Sequence, residues 1–354
     1  MTPLTLLSSP QTDSYHIPQD TGTPWRWKRM IDYIVNAPDD TGLLIRDYSK
    51  HWTDSEKVYW AFLYSTCYCL PTSLVMFHSI PLHSIQYATL DQLRDTLTIF
   101  WNKNKQRLQF QTDRRYIKFR NQWVDAVLSF VSLVLKDIDT SIFTPARWLF
   151  NNTVSNDPYA TYNNLYRSIS SIPNYGRYAT ILFIRSLVKV TADSPCPIHV
   201  ATNSYPWKEG RTTTSALMNA IYQDKIAADF DAGKYRLSLP DIRYLNTLMD
   251  TLTAQLTLRR PDTDNSIVSV SFDLCAYRKL FKSTRYPGYY VDRAQQEILN
   301  LDRDWYHEFP FMIDWFWDAR KRLIPHIYLG ELNDWTGVRK SLNSDFLQTG
   351  RVTP

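Results

Sequence analysis

Glycine is scarce in this sequence, with 9 glycines among 354 residues, where an average protein has roughly 7%. Loops that cradle a phosphate need several glycines within about seven residues, because backbone N–H groups must approach the anion closely. No two glycines here lie closer than seven positions apart. The sequence therefore excludes glycine-rich nucleotide loops, and any bound phosphate must be held by side chains or helix N-termini.

Cysteine is also sparse, with Cys67, Cys69, Cys196 and Cys275 only. Four scattered thiols predict neither a disulfide framework nor a tetrathiolate zinc or iron–sulfur site. The seven histidines include no H-x-x-x-H pair. We therefore expect reduced thiols, no metal site and no organic cofactor.

Long apolar runs are missing as well, since no stretch of about 18 uncharged apolar residues occurs. The N-terminal residues MTPLTLLSSPQTDS lack the basic region of a signal peptide. Apolar residues make up 44% and charged residues 21% of the chain, as in ordinary globular proteins. We expect a folded, soluble protein with no membrane partner.

Aromatic residues, at 14%, and helical patterns are abundant. Thr53 with Glu56 and Thr89 with Gln92 have the spacing of capping boxes. Apolar stripes at helical spacing follow over residues 122–136, 144–151, 158–170, 178–191, 212–222, 240–257, 291–301 and 308–323. Only 107–119 and 265–275 alternate as strands do. The sequence predicts a mostly α fold with at most a minor β component.

No Pro/Gly/Ser-rich linker divides the chain cleanly. Residues 1–24 are rich in Thr, Ser, Pro and Asp without a period, which indicates an irregular N-terminal arm. We predict a helical domain over residues 25–323, built as one body or as two packed subdomains. A C-terminal extension over 324–354 completes the predicted organisation.

Positive charge is concentrated in two runs, although the net charge is only +5. Residues 103–120 carry seven basic side chains against one Asp, a local charge of +6, and 278–293 carry five against one, or +4. Aromatic residues interleave with both runs. A solvated face is one interpretation, and contact with a polyanion is the other. On the second, the DNA-binding candidates are Lys103, Lys105, Arg107, Lys118 and Arg120.

Residues 172–180, IPNYGRYAT, lie between two predicted helices and indicate a helical hairpin. They resemble the L-P-G-V-G-x-x-T-A hairpin of helix-hairpin-helix DNA glycosylases, with Asn174 at the first glycine position. Asn tolerates the left-handed backbone region, and we expect positive φ at Gly176 too. Pro173, Asn174 and Gly176 are therefore DNA-binding candidates, with an ordinary helix–helix turn as the alternative.

Three segments together carry a wider resemblance: RLQFQTDRRYIKF (107–119), SIPNYGRYATILFI (171–184) and CAYRKLFKSTRYPGYYVDRAQQEI (275–298). They resemble the amino acid:DNA transferases of bacteriophages, also called alpha-glutamyl/putrescinyl thymine pyrophosphorylases, over roughly residues 50–300. The resemblance implies a helical DNA glycosylase-like fold with a helix-hairpin-helix-like element. The glycosylases' catalytic Asp context is absent after Gly176, which indicates changed chemistry.

The family's reaction displaces pyrophosphate from a pyrophosphorylated 5-hydroxymethyluracil base in DNA, and an amine forms a C–N bond at the 5-methylene carbon. The resemblance thus implies double-stranded DNA with modified thymine and an amino acid or polyamine as partners. Glycine, glutamate and putrescine all stay open as donors. A 5-hydroxymethyluridine DNA kinase is a further candidate partner, and the implied location is the cytoplasm of an infected bacterium.

This chemistry requires cations for the leaving group, a proton acceptor for the amine and aromatic walls for an extruded base. The pyrophosphate-binding candidates are Arg114, Arg115, Arg211, Lys279, Lys282 and Arg285. The catalytic candidates are Asp113, Glu209 and Arg177. The base-stacking candidates are Trp60, Tyr64, Tyr175 and Tyr286. Asp113 as a surface ion-pair partner and the aromatic residues as core are the structural alternatives.

Two other functions remain compatible with the sequence. One is a DNA glycosylase that removes a modified base, which abasic-site formation would reveal. The other is a non-catalytic helical module that binds DNA and recruits a kinase.

Overall fold

The computed structural model describes residues 23–36, 40–111, 114–202, 211–221, 224–261, 265–280 and 289–324. All the regular elements in these ranges are helices, which confirms the mostly α prediction. The predicted N-terminal arm and C-terminal extension lie almost wholly outside the described residues. The described chain divides into two compact units, which we call the large unit and the small unit.

The large unit comprises the described residues of Asp39–Thr202 and Tyr290–Leu329. Its helices are α2 (Asp40–Tyr48), α3 (Asp54–Cys67), α4 (Leu70–Ser79), α5 (Leu82–Ile85), α6 (Leu90–Asn104), α7 (Arg115–Phe119), α8 (Trp123–Asp137), α9 (Pro145–Trp148), a π-helical turn (Leu149–Thr153), α10 (Pro158–Ser170), α11 (Arg177–Thr191), α16 (Tyr289–Trp305) and α17 (Pro310–Leu323).

The small unit comprises the described residues of Met1–Pro38 and Asn203–Tyr289. Its helices are α1 (Thr23–Asn36), α12 (Arg211–Ile221), α13 (Asp224–Asp231), α14 (Leu239–Arg259) and α15 (Ile267–Leu280). Helices α1, α12, α14 and α15 share one apolar core, in which Met30, Leu252 and Leu274 are fully buried. The Arg29 Nε donates to the Tyr277 hydroxyl at 3.3 Å within it.

Both predicted capping boxes are present. At the start of α3 the Glu56 backbone N–H donates to Thr53 Oγ1 at 3.3 Å, and the Thr53 N–H donates to Glu56 Oε2 at 2.8 Å. Thr89 and Gln92 form the same pair of bonds at the start of α6. Each box satisfies N–H groups that the first helical turn cannot pair, so the sequence alone predicts where both helices begin.

Helix α3 is the centre of the large unit, because it is buried continuously from Lys57 to Cys67. Helix α11 packs along it. The Phe62 ring stacks on Phe130 with centroids 4.1 Å apart. A fully buried aromatic ring of this size contributes about 1.5–3 kcal/mol, so α3 is a rigid element on which other residues can be positioned.

Both readings of strand alternation were wrong. The described residues of 107–119 contain no strand and end in helix α7, and the stretch at 265–275 belongs to helix α15 from Ile267 onward. The buried residues Val270, Leu274 and Tyr277 are spaced by four and three positions, which is the period of a helix. The alternating Val and Ser residues before them are a local pattern that packing in the small unit overrides.

No helix among the described residues is long and apolar enough to cross a membrane.

Candidate functional site

Residues 65–69, at the C-terminal end of α3, are contacted by parts of all three segments that carry the family resemblance. The first segment, 107–119, runs alongside this end. The backbone N–H of Gln111 donates to the Cys67 carbonyl at 2.9 Å, and the Arg114 Nε donates to the Thr66 carbonyl at 3.4 Å. The segment is therefore anchored to the helix through its backbone and through a buried guanidinium.

The second segment is the hairpin between α10 and α11. The Tyr175 hydroxyl is hydrogen-bonded to Ser65 Oγ, and the Tyr175 ring stacks on Phe62 with centroids 5.3 Å apart. Two residues into α11, the Tyr178 ring meets the Tyr68 ring edge-on at 6.0 Å. The start of α11 is thereby fixed beside the end of α3.

The third segment reaches the same place through α16. Glu297 lies among three side chains: its carboxylate accepts a hydrogen bond from the Gln111 amide, it faces the Cys69 thiol at 3.5 Å, and it pairs with the Arg293 Nε at 3.3 Å. Segments far apart in sequence are thus assembled around five residues of α3 and the turn after it.

Tyr68, directly after α3, has a left-handed backbone with φ 54° and ψ 38°. Its N–H donates to the Tyr64 carbonyl at 2.6 Å and closes the helix. Glycine is the usual residue at such a position, and a bulky side chain there costs about 1–2 kcal/mol. Backbone outliers of this kind cluster at functional sites, which marks the end of α3 as a candidate site.

A pocket opens at this end of the large unit, which we call the α3 pocket. It has about 510 Å³ of empty space, part of it open to solvent. Its polar and aromatic walls are Thr41, Tyr64, Tyr68, Arg293 and Glu297. Its apolar walls are Leu44, Leu70, Pro71, Ala294, Ile298 and Phe316.

Burial keeps the groups around the pocket protonated. It raises the pKa of Cys67 to about 12 and raises the pKa of Cys69 well above its ordinary value, with the Glu297 charge acting in the same direction. Burial also raises the pKa of Tyr64. A thiolate is the nucleophilic form of cysteine, so neither thiol is a nucleophile at neutral pH, and Glu297 supplies the acidic charge of the pocket.

The basic run 103–120 splits into an inner and an outer set. The inner set is Arg107, Arg114 and Lys118. Arg107 Nη2 pairs with Glu308 at 2.8 Å and its guanidinium lies 3.7 Å from the centroid of the Trp305 ring. Arg114 is 1% exposed. Lys118 Nζ donates to the Leu108 carbonyl at 2.6 Å, and burial lowers its pKa.

The outer basic face comprises Lys103, Lys105, Arg115 and Arg120, which are exposed or half-exposed. Asn121 Oδ1 accepts a bond from Lys105 Nζ at 3.3 Å, which holds the end of α6 near the turn that carries Arg120. Phe119, the last residue of α7, is 78% exposed directly before this turn. An exposed ring among cations is the combination that single bases and phosphates bind.

The hairpin turn confirms one backbone expectation and corrects another. Asn174 has φ 63°, as the glycine replacement predicted. Gly176 instead has φ −63° and ψ 174° and caps the N-terminus of α11, so the expectation of positive φ there was wrong. A Cβ at Gly176 would meet nothing within 4 Å. The left-handed residue of the turn is therefore Asn174. At Gly176 neither the backbone conformation nor the space around it requires a glycine.

Pro173, Asn174 and Gly176 are exposed, and their contact with DNA stays a prediction.

The aromatic candidates have different surroundings. Trp60 and Tyr175 are 1% exposed, and the Trp60 Nε1 donates to Ser73 Oγ at 3.0 Å. Both rings are core residues in the large unit, as the alternative interpretation anticipated, and a base could not stack on them without unpacking it. Tyr64 is also buried but lines the α3 pocket.

Several candidates lie outside the described residues: Asp113, Glu209, Lys282, Arg285 and Tyr286. Arg211 is the first residue of α12, and only its backbone is described. Lys279 is half-buried in the last turn of α15, in the small unit. Arg177 is half-buried at the first residue of α11, beside the end of α3.

Sequence reasoning missed Glu297 and Arg293 as parts of the site. Both lie in the helical sequence RAQQEIL (293–299), where charged residues ordinarily face solvent. The available signal was their i,i+4 spacing inside the third resemblance segment. Across the described ranges, no group of three or more His, Cys, Asp or Glu side chains could hold a metal ion.

A family model described as amino acid:DNA transferase matches residues 44–285, a span that includes α3, the basic run and the hairpin. Searches of curated proteins and of solved structures found no match.

Proposed function

The chain belongs to the amino acid:DNA transferase family, and from this premise we propose that it acts on a pyrophosphorylated 5-hydroxymethyluracil base in phage DNA. In the proposed reaction an amino acid or amine is joined to the 5-methylene carbon of the base. Pyrophosphate is released. The observation that carries the proposal is the family match, together with the meeting of the three resemblance segments at the end of α3.

The proposed step is a displacement at one carbon. The donor nitrogen forms a bond to the 5-methylene carbon as the C–O bond to pyrophosphate breaks, and the bonding electrons leave with the pyrophosphate oxygen. An amine is an ammonium ion at neutral pH, so it must first lose a proton to a base. The leaving group gains negative charge, which fixed cations stabilise.

Arg177 is a described and half-buried candidate that begins α11, directly before Tyr178, whose ring contacts Tyr68. A helix N-terminus favours anions through its unpaired N–H groups and its dipole. A guanidinium at the same position adds a fork that fits phosphate oxygens. We assign Arg177 to the leaving group on this basis. The other predicted pyrophosphate contacts, Arg115, Arg211, Lys279, Lys282 and Arg285, remain predictions from the sequence.

The outer basic face supports DNA binding in the proposal. Its cations would neutralise backbone phosphates, and Phe119 offers a ring to an unstacked base. The base must leave the duplex to react, and Tyr64 is the described aromatic candidate that lines a pocket.

The test is to incubate the full chain with pyrophosphorylated 5-hydroxymethyluracil DNA and a panel of amines, and then to analyse the digested nucleosides by mass spectrometry. We expect one new amine-substituted nucleoside and an equal amount of pyrophosphate. Abasic sites without an amine adduct would indicate a glycosylase instead. DNA binding with neither product would indicate a non-catalytic module.

Arg177→Ala sharpens this test. Loss of a leaving-group contact should lower the single-turnover rate by roughly 10²-fold or more with little change in DNA affinity. Arg167→Ala, an exposed arginine on α10, is the matched control and should react as the unmodified chain does. A wild-type rate for Arg177→Ala would remove this residue from the reaction.

A further inference from the structure

We propose that Phe119 is a wedge that enters double-stranded DNA and fills the place of a base that leaves the stack. The proposal deepens the proposed function, from which it takes the need to bring a base out of the duplex. It goes beyond a ring on which an unstacked base rests, because a wedge acts on paired DNA. Proteins that kink a duplex insert apolar side chains such as Phe, Leu or Ile between base steps.

Phe119 presents its ring to solvent. It is 78% exposed, which makes it the most exposed phenylalanine among the described residues. Two neighbours in the chain face inwards, since Ile117 is fully buried and Lys118 Nζ donates to the Leu108 carbonyl. Arg115 and Phe119 are one helical turn apart, and they lie together on the outer face of α7.

The turn after α7 holds this ring in a fixed position. Asn121 has a left-handed backbone with φ 53°, and its N–H donates to the Lys118 carbonyl at 3.2 Å. The Gln122 N–H donates to the Ile117 carbonyl at 2.9 Å. These two bonds form a Schellman motif, in which a left-handed residue closes the end of a helix. Phe119 therefore belongs to a closed helix end.

Two contacts with α6 fix the same turn to the body of the large unit. Asn121 Oδ1 accepts hydrogen bonds from Trp101 Nε1 at 3.2 Å and from Lys105 Nζ at 3.3 Å. The buried Trp101 ring stacks on Trp123, the first residue of α8, with centroids 5.4 Å apart. A side chain that pushes bases apart must be held rigidly, because freedom that is lost on binding weakens the complex.

The cations around the ring favour a polyanion as its partner. Arg120 directly follows Phe119, and Arg115 precedes it by one turn. Lys105 contacts the turn through Asn121. These three basic side chains are exposed or half-exposed. Their positive charge attracts phosphates whether or not one N–H group is already bonded within the protein.

Acidic side chains near the turn do not cancel this charge. Asp125, in the first turn of α8, is the described acid nearest to the turn in sequence, and it pairs with Arg94 at 3.5 Å. Asp91 and Asp95 lie in the first half of α6, whereas the turn contacts its last residues. An acidic protein would be attracted by the same cations, but a base step that an apolar side chain can enter exists only in nucleic acid.

The wedge is carried by a segment that also contacts the candidate site. Arg114, directly before α7, donates to the Thr66 carbonyl at 3.4 Å near the end of α3. Helix α7 has five residues and is therefore about 7.5 Å long. A single short helix thus joins Phe119 to the place where the three resemblance segments meet, so a base that leaves the stack beside the ring emerges close to that place.

The first measurement follows base stacking without turnover. The full chain is mixed with a duplex that carries 2-aminopurine, whose fluorescence rises when it is unstacked, next to a pyrophosphorylated 5-hydroxymethyluracil, and no amine is added. A second duplex has 2-aminopurine next to a mismatch of two ordinary thymines, so that it does not depend on the modified base. We expect binding to raise the fluorescence of both duplexes by roughly twofold or more, because the wedge unstacks the step beside it.

Substitutions at Phe119 separate a wedge from a stacking platform. Phe119→Leu keeps an apolar body that can enter a base step, whereas a platform needs the aromatic ring. We expect Phe119→Leu to retain the fluorescence rise and Phe119→Ala to lose most of it. The slope of log affinity against log salt should be unchanged in both variants, because no charge is removed.

Tyr87→Ala is the matched control. Tyr87 is 72% exposed and precedes the first residue of α6, whereas the turn after Phe119 contacts the other end of that helix through Trp101 and Lys105. This variant should show the full fluorescence rise. Thermal unfolding checks that each variant is folded.

The transfer assay tests whether the wedge contributes to the reaction. Phe119→Ala should lower the single-turnover rate on the duplex substrate by roughly tenfold. On a single strand that carries the same modified base, the variant should react as fast as the unmodified chain does, because no base pair has to open. A residue with a merely structural role would lower the two rates alike.

The outcomes separate this proposal from the proposed function. No fluorescence rise with either duplex in the unmodified chain overturns the wedge, and so does an equal rise in Phe119→Ala. Loss of the rise in Phe119→Leu as well overturns it in favour of a stacking platform. If an amine is transferred to DNA in any of these cases, the proposed function stands without the wedge. If the fluorescence follows the expected pattern and no amine is transferred, the wedge stands and the reaction is a different one.

Discussion

Arg114 and Arg115 are neighbours in sequence with opposite surroundings. Arg114 is 1% exposed, its Nε donates to the Thr66 carbonyl, and its guanidinium lies 5.4 Å from the centroid of the Tyr175 ring. Arg115 is exposed at the start of α7, although its Nε also donates to a backbone carbonyl, that of Phe110, at 3.4 Å. The same division runs through the whole basic segment, in which the inner set holds the large unit together and the outer basic face remains available to a polyanion. A run of like charges is therefore not one functional surface.

The sharpest way to break this comparison is to truncate each neighbour in turn. Arg114→Ala should lower the free energy of unfolding by about 3 kcal/mol, because it leaves a cavity and removes a donor from a buried carbonyl. Arg115→Ala should change it by less than about 0.5 kcal/mol. Urea unfolding measures both. Equal losses for the two variants would contradict the division.

The next largest effect concerns DNA. If three cations of the outer basic face contact phosphates, a plot of log affinity against log salt should have a slope of roughly −2.7. The combined variant Lys103→Ala, Arg115→Ala and Arg120→Ala should bring that slope close to zero at an unchanged unfolding free energy. The matched control removes three exposed cations elsewhere in the large unit, Lys136, Arg147 and Arg167, and should keep the slope. DNA affinity that is indifferent to salt in the unmodified chain would remove this face from the interface.

Arg107 tests whether an inner cation also contributes to DNA binding. Arg107→Ala breaks the contact with Glu308 and uncovers the Trp305 ring, and this pair is partly exposed. We expect a loss of about 1 kcal/mol in unfolding free energy. The salt slope should stay the same. A slope that becomes shallower by about one would move Arg107 to the DNA-facing set.

The smallest predicted effect lies in the hairpin turn. Asn174→Ala should lower the unfolding free energy by roughly 1 kcal/mol, since alanine resists the left-handed region more than asparagine does. Gly176→Ser should be neutral or stabilising by a few tenths of a kcal/mol, because the site is open and serine is a good N-cap. Thermal unfolding of the two variants compares them directly. A larger loss for Gly176→Ser would mean that the turn depends on this glycine after all.

Most helix positions were predictable because their signals are local, whereas α1 (Thr23–Asn36) and α2 (Asp40–Tyr48) were not identified from the sequence. The capping boxes at Thr53 and Thr89 and the apolar stripes each depend on residues a few positions apart. The strand readings at 107–119 and 265–275 failed. At 265–275 a short alternation of Val and Ser competes with a helical stripe, and the stripe prevails because it packs into the core of the small unit.

The composition of the site could be predicted only in part, because it depends on contacts between distant segments. Nothing local distinguishes buried Arg114 from exposed Arg115, or marks Trp60 as core rather than as the wall of a base pocket. Glu297 is part of the site because Gln111 and Cys69, both about 190 or more positions away in sequence, meet it. The resemblance segments have parts that meet at the end of α3, whereas the surroundings of single residues within them could be read only from the fold.

Tyr68 combines an unfavourable backbone conformation with a side chain that forms part of the candidate site. Glycine at that position would relieve the left-handed backbone, so selection against backbone strain alone would favour Tyr68→Gly. The same change would remove the ring that lines the α3 pocket and meets Tyr178. The backbone at this position therefore favours glycine, whereas the wall of the α3 pocket requires the tyrosine ring. Substitutions meant to stabilise this protein should be made at other positions.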